Sequence, residues 1–178
     1  NANFQTICVD LPGFGDSAEP LTGGDVDALI EPLHAAWQLL KPAQMNTTFV
    51  GFSFGGMTAA LWLAAFPEDA QNLVMVGSPG LGLTTPDRIR LKGWRHLPTE
   101  AQQAEAHRHN LMALMLQHEK SLDPLALAVH AANVVRDRMK GRSLAFTDAL
   151  AQALRTVACP VSAIYGEADA LYRGRMSE

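Results

Sequence analysis

The sequence predicts an α/β fold in which a mostly parallel sheet is flanked by helices and interrupted by an all-helical insertion. Three observations predict it. Short β-branched and aromatic runs closed by turn residues alternate with stretches of helical period, the sequence form of strand-helix-strand units. A serine stands between glycines where one such run passes into a helix, in FVGFSFGGMT at 49–58. From about Leu81 to Arg142 the helical patterns follow one another with no strand between them.

Taken in order, FQTICVD at 4–10 predicts a buried strand, closed by the turn-rich LPGFGDS. Residues 25–40 place Leu29, Ile30, Leu33, Ala36, Trp37 and Leu40 on one stripe of helical period, with Asp25 as N-cap. TTFVGF predicts a second strand, GGMTAALWLAAF a helix stopped by Pro67, and NLVMVGS at 72–78 a third strand. In the insertion, Thr99 with Gln102 reads as a capping box opening a helix through Leu116. Asp123 and Pro124 open another, with Gly141 as its stop. A helix near 144–155 and a fourth strand in CPVSAIYGEAD complete the pattern. The expected division is a first core segment at 1–80, a helical cap or lid at 81–142, and a second core segment at 143–178.

With 178 residues, 48% hydrophobic and 18% charged, and a net charge of −4, the chain reads as an ordinary globular protein able to bury a core. That balance argues against a nucleic-acid partner. Arg136, Arg138, Lys140 and Arg142 read as the polar face and last turn of a helix, where cations suit the macrodipole. Cys8 and Cys159 are too few for a disulfide framework and read as small buried hydrophobes. No run of about 18 apolar residues predicts a membrane span. A cytoplasmic protein acting on a small molecule, without metal or cofactor, is the expectation.

A serine hydroxyl is a weak nucleophile until it is exposed, held and set beside a base. Gly51-Phe52-Ser53-Phe54-Gly55 meets the first two needs: the flanking glycines let strand and helix pass closely while Ser53 takes a strained backbone conformation at the tip. The Phe54 N–H, at the positive end of the following helix, is positioned to donate to a reacting carbonyl oxygen. Phe52 is assigned to substrate contact. The alternative is a tight glycine turn whose serine merely caps the next helix.

The motifs VDLPGFGDS, VGFSFGGM and IYGEAD, in this order, resemble the α/β-hydrolase superfamily, in particular its capped members acting on small substrates. The resemblance runs over almost the whole chain, strong at the three motifs and weak in the helical insertion. It implies a partial α/β-hydrolase fold with Ser53 as nucleophile, an acid in the loop after a later strand, and a histidine further on. Gly166-Glu167-Ala168-Asp169 matches the family's G-x-x-D loop, so Asp169 is the implied acid, with Glu167 the nearer alternative and a simple turn aspartate the other reading. Asp10, Gly13 and Gly15 match a loop near the active-site mouth and are expected to be structural. Ser53 stands where dehalogenases and epoxide hydrolases of this fold carry an aspartate.

The histidines at 34, 96, 107, 109, 118 and 130 all precede Asp169, against the serine-acid-histidine order of the fold. His96, His107 or His109 is a possible substitute base; His107, His109 and His118 lack ligand spacing for a metal. The expectation is therefore a chain truncated at both ends, with the base and second oxyanion donor outside it and little activity alone. The activity implied for the parent is hydrolysis of a small, partly apolar ester or related acyl compound. Alternatives are a carbon-carbon bond hydrolase of the ring-cleavage-product type and a non-catalytic binding protein on the same fold. The apolar residues Leu111, Met112, Leu114, Met115, Leu116, Leu127, Val129, Val134, Val135 and Met139 are expected mainly as core, and otherwise as a pocket wall.

Overall fold

Three short parallel strands, whose buried residues are Gly51, Leu73 and Met75, supply the frame. In the computed structural model, which describes residues 4–20, 24–41, 46–83, 89–175 and 177, β1 (Thr48–Phe52), β2 (Asn72–Val76) and β3 (Val161–Ile164) form one parallel sheet in the order β1-β2-β3. Residues 84–88 of the predicted insertion lie outside the described residues. The register runs from Thr48 opposite Asn72 to Phe52 opposite Val76, and from Leu73 opposite Val161 to Val76 opposite Ile164.

Helix α1 (Ile30–Leu40) follows a 3-10 turn over Val26–Leu29, and the Asp25 carboxylate caps that turn by accepting the Val26 N–H. Its buried face is Ile30, Leu33 and Trp37, whereas Ala36 and Leu40 point to solvent. Helix α2 (Phe54–Ala65) connects β1 to β2 and buries residues on all sides, among them Met57, Ala60, Trp62 and Leu63, which marks a core helix. Helix α5 (Ala149–Leu154) adds Leu150 to the cluster of Val26, Met57, Leu63, Leu73 and Met75.

The far end of α2 is closed by a buried polar network. The Asp69 carboxylate accepts hydrogen bonds from Trp62 Nε1 and Gln38 Nε2, both at 2.8 Å, and pairs with His34 Nδ1 at 2.6 Å. Its backbone oxygen accepts Trp37 Nε1 at 3.2 Å, and the His34 ring stacks on Phe66.

Four expectations are corrected. Residues 4–10 form no strand: no described strand pairs with them, Phe4 is 85% exposed, and Cys8 faces solvent instead of the core. Alternation of apolar residues makes a strand only where a ladder partner exists. Helix α4 (Pro124–Val135) opens as predicted, with Asp123 accepting the Ala126 N–H, but stops well before Gly141. Past Val135 the chain turns to a competing partner. The Arg138 N–H donates to Gly13 O at 2.9 Å, its guanidinium donates to Gly15 O at 3.0 Å, and Arg136 pairs with Asp16. The four cationic residues are thus not the polar face of a helix; three of them tie residues 136–142 to the 10–17 loop or to one another's neighbourhood, Arg142 pairing with Asp137.

Helix α3 (Glu100–Leu114) starts at Thr99, whose Oγ1 accepts the Gln102 N–H at 3.3 Å. It packs against α4, and because two helices share one interface, the expected apolar core there is thin. Of the predicted stripe only Leu111 is buried; Met115, Val129 and Val135 are exposed. The helix predicted near 144–155 divides into a 3-10 turn, Ser143–Phe146, and α5.

Candidate active site

At the end of β1 the chain reverses through Ser53, whose φ of 50° and ψ of −122° make it the one non-glycine residue with positive φ among the described residues. Such a conformation costs on the order of 1–3 kcal/mol and persists only where surroundings hold it. Here the Ser53 N–H donates to Val76 O at 2.7 Å, and Ser53 O accepts the Gly56 and Met57 N–H groups. The Ser53 side chain makes no capping bond to α2, so the hydroxyl is not spent on closing the helix.

The glycines divide unequally. A Cβ on Gly51 would sit 2.4 Å from Gly55 O and one on Gly56 2.0 Å from Ser78 Oγ, so these two permit the strand-helix approach. A Cβ on Gly55 would meet nothing within 4 Å. Of the two glycines after Ser53 expected to allow tight packing, Gly55 and Gly56, only Gly56 makes the close approach. Phe54 is the first residue of α2, and its N–H has no acceptor within the helix.

After β3 the chain enters the 165–172 loop. Asp169 closes a turn there, its N–H donating to Gly166 O at 2.9 Å and its Oδ1 accepting the Leu171 N–H at 2.9 Å. The other carboxylate oxygen, Oδ2, lies 3.3 Å from where a Cβ on Gly77 would stand, and Phe52 Cε2 lies 3.6 Å from the same point. Asp169 is half-buried, while Glu167 is exposed. Ser53, Phe52 and Asp169 are thus gathered around residues 76–78 at the carboxyl ends of the strands, where α/β sheets place ligands.

Three residues at this place escaped the sequence reading. Tyr165 and Tyr172 both donate their hydroxyls to Ser78 O, at 2.9 and 2.8 Å. Burial pushes both phenols above the ordinary tyrosine range, with the other tyrosine and Asp169 adding to the rise at Tyr172, so both are neutral donors. Ser78 Oγ is buried and has no hydrogen-bond partner among the described residues. The available signal was two tyrosines bracketing the GEAD loop.

Three histidines of the insertion, His107, His109 and His130, are engaged elsewhere. His107 and His130 lie edge to face, 5.4 Å apart, with His107 also against Trp94. Burial lowers the pKa of both, and the charge on His107 lowers His130 further. His109 Nε2 lies 3.0 Å from Arg90 O, so His107 and His109 diverge. Asp10 is structural in geometry: its Oδ2 accepts the Asp16 N–H at 2.9 Å, and a Cβ on Gly15 would fall on that carboxylate. Arg142 lies over the Phe14 and Phe54 rings, 5.2 and 5.4 Å from their centroids.

A parallel sheet with a strained serine at a strand-helix junction and a carboxylate loop after a later strand defines the architecture of an α/β hydrolase. The family described as alpha/beta hydrolase fold matches residues 1–155, and the chain belongs to it. It is 32% identical, over 94% of its length and 66% of the relative's, to a pimeloyl-[acyl-carrier protein] methyl ester esterase of Chromobacterium violaceum. It is 31% identical to the human monoacylglycerol lipase ABHD6 over 51% of this chain and 28% of that protein. The chain therefore spans about two-thirds or less of the length of these relatives. Among solved structures, a serine hydrolase from the polyaromatic-hydrocarbon-degrading bacterium Cycloclasticus zankles superposes with a TM-score of 0.63 at 20% identity, covering 89% of this chain and 60% of that one, which bears on fold alone. Its hydrolase relatives include esterases and lipases. No helix among the described residues is long and apolar enough to cross a membrane.

Proposed function

We propose that the chain carries the nucleophile, acid and one oxyanion donor of a serine hydrolase that cleaves a small, partly apolar carboxylic ester or related acyl compound. The observation that carries this reading is the positive φ of Ser53, held at the mouth of a parallel sheet with its hydroxyl free of any helix-capping bond. In this reading Ser53 Oγ attacks the acyl carbon and a base takes its proton. Asp169 orients that base, and the Phe54 N–H donates to the developing oxyanion. Phe52, 60% exposed beside Gly77, offers the substrate an apolar surface. Residues 81–142 act as the lid over a catalytic unit made of 1–80 and 143–178, and the enzyme works in the cytoplasm.

The similarity to a methyl ester esterase supports an ester in preference to a carbon-carbon bond as the target. The test is labelling of the complete gene product by a fluorophosphonate probe. Labelling that Ser53→Ala abolishes is the expected result; a complete protein that never labels, or that labels equally without Ser53, removes the proposal. The 178-residue chain alone is expected to hydrolyse a p-nitrophenyl ester no faster than its Ser53→Ala control.

A further inference from the structure

We propose that Tyr165 and Tyr172 are positioning residues that hold the Asp169 carboxylate in place by clamping one backbone carbonyl, that of Ser78. This rests on the reading of Asp169 as the acid of a serine hydrolase.

Tyr165 precedes Asp169 and Tyr172 follows it, so the two phenols bracket the carboxylate in sequence. Their rings meet edge to face with centroids 5.4 Å apart, and both hydroxyls converge on Ser78 O, whose two lone pairs accept them together. The bonds inside the loop, from Asp169 N to Gly166 O and from Leu171 N to Asp169 Oδ1, set the carboxylate's orientation within the turn. They do not fix the turn on the sheet. The phenols do, and they do so at the strand end that also carries the serine. Ser53 N donates to Val76 O at 2.7 Å, Gly77 N donates to Ile164 O at 2.9 Å, and Ser78 O receives the tyrosines.

Three consecutive residues are therefore the common reference for the serine and the acid, which are placed relative to each other through residues 76–78. Gly77 lies in the middle with a φ of +54°, and Asp169 Oδ2 rests against its bare α-carbon face. Removing a hydroxyl while keeping its ring leaves the packing but frees the loop to shift, and displacements near 1 Å at a catalytic group cost on the order of 100-fold in rate.

The experiment is a mutant cycle in the complete gene product, read by steady-state hydrolysis of a p-nitrophenyl ester across pH. Tyr165→Phe with Tyr172→Phe is expected to lower kcat on the order of 100-fold with KM little changed. The acidic limb of the kcat/KM profile should move to lower pH, because a base that loses its carboxylate gains protons less readily. Asp169→Asn alone should lower kcat by about 10⁴. Adding both Phe substitutions to Asp169→Asn should then cost nothing further, since the tyrosines act through the carboxylate.

Wild-type kcat and pH profile in the Phe pair, or a loss that persists in full on the Asp169→Asn background, overturns the positioning role. Wild-type activity of Asp169→Asn, or turnover independent of Ser53, instead overturns the hydrolase reading on which it rests. If the pair fails to fold, Tyr165→Phe alone, at the less buried of the two rings, completes the same cycle.

Discussion

The two ends of helix α2 are built on opposite principles. At its start Ser53 sits in a backbone conformation that side chains avoid, with no side-chain cap and with the first N–H of the helix unpaired within it. At its end nearly every polar atom is matched: Asp69 is buried and takes bonds from Trp62, Gln38 and His34, with Lys41 Nζ at 3.7 Å. The helix between them has 12 residues, about 18 Å at 1.5 Å per residue. Strain at the first end is held locally, by the Ser53 N–H on Val76 O, whereas the second end is a matched polar network, so substitutions at the first should change chemistry and those at the second should change stability.

The largest expected effect breaks the first half of that contrast. Ser53→Ala in the complete gene product should lower turnover by about 10⁶. Its urea midpoint should stay at or above that of the wild type, because no stabilising bond of the side chain is lost. A substantial fall in stability would mean that the hydroxyl is a structural cap. Next in size, Asp69→Ala should cost about 4 kcal/mol in urea unfolding, since it leaves the buried partners of a lost carboxylate unmatched. Folded Asp69→Ala protein should still react with a fluorophosphonate at close to the wild-type rate; a rate as low as that of Ser53→Ala would erase the distinction between the ends.

The glycines sharpen the contrast on a smaller scale. Gly51→Ala drives a Cβ into the backbone of residues 55 and 56 and should cost about 3 kcal/mol, whereas Gly55→Ala enters open space inside a helix and should gain up to about 1 kcal/mol. Equal urea midpoints for the two variants would contradict the assignment of the close approach to Gly51 and Gly56. The smallest effect belongs to neither end. His107 and His130 have pKa values lowered by burial from 6.5, so the folded state binds fewer protons than the unfolded chain below that pH. Stability is intact above 6.5 and falls as pH drops beneath it, by at most about 1.4 kcal/mol per pH unit for each imidazole. In a thermal melt series from pH 8 to pH 5, His107→Gln should flatten the decline; an unchanged slope would show that other groups set it.

Much of this arrangement was legible in the residues. The turn at Ser53 and the loop containing Asp169 could be placed because each has a local pattern: glycines around a serine between a strand and a helix, and a glycine-acid turn after a strand. Asp25, Thr99 and Asp123 were legible as caps for the same reason, each bonding a backbone N–H within three residues. What stayed hidden depends on residues distant in sequence. Nothing near 4–10 states whether a neighbouring strand is available, and nothing near Val135 states that Gly13 and Gly15 will accept bonds from Arg138. The Asp69 network joins residues 34, 38, 62 and 69, and the two tyrosines meet Ser78 across 87 and 94 residues of chain. Such contacts leave no periodic trace.

The sheet is assembled from unequal lengths of chain. β1 and β2 are separated only by α2 and a short turn, so their pairing closes a small loop, whereas β3 can reach β2 only after residues 77–160 have been drawn in. Loop-closure entropy grows with that length, and pairings of high sequence separation form slowly. The β1-α2-β2 unit is therefore the natural folding nucleus, already holding Ser53 in its turn, while the loop bearing Asp169 arrives with the last strand. A ribosome releasing this chain exposes Ser53 long before the loop that carries Asp169, so the two residues come together only when β3 joins the sheet.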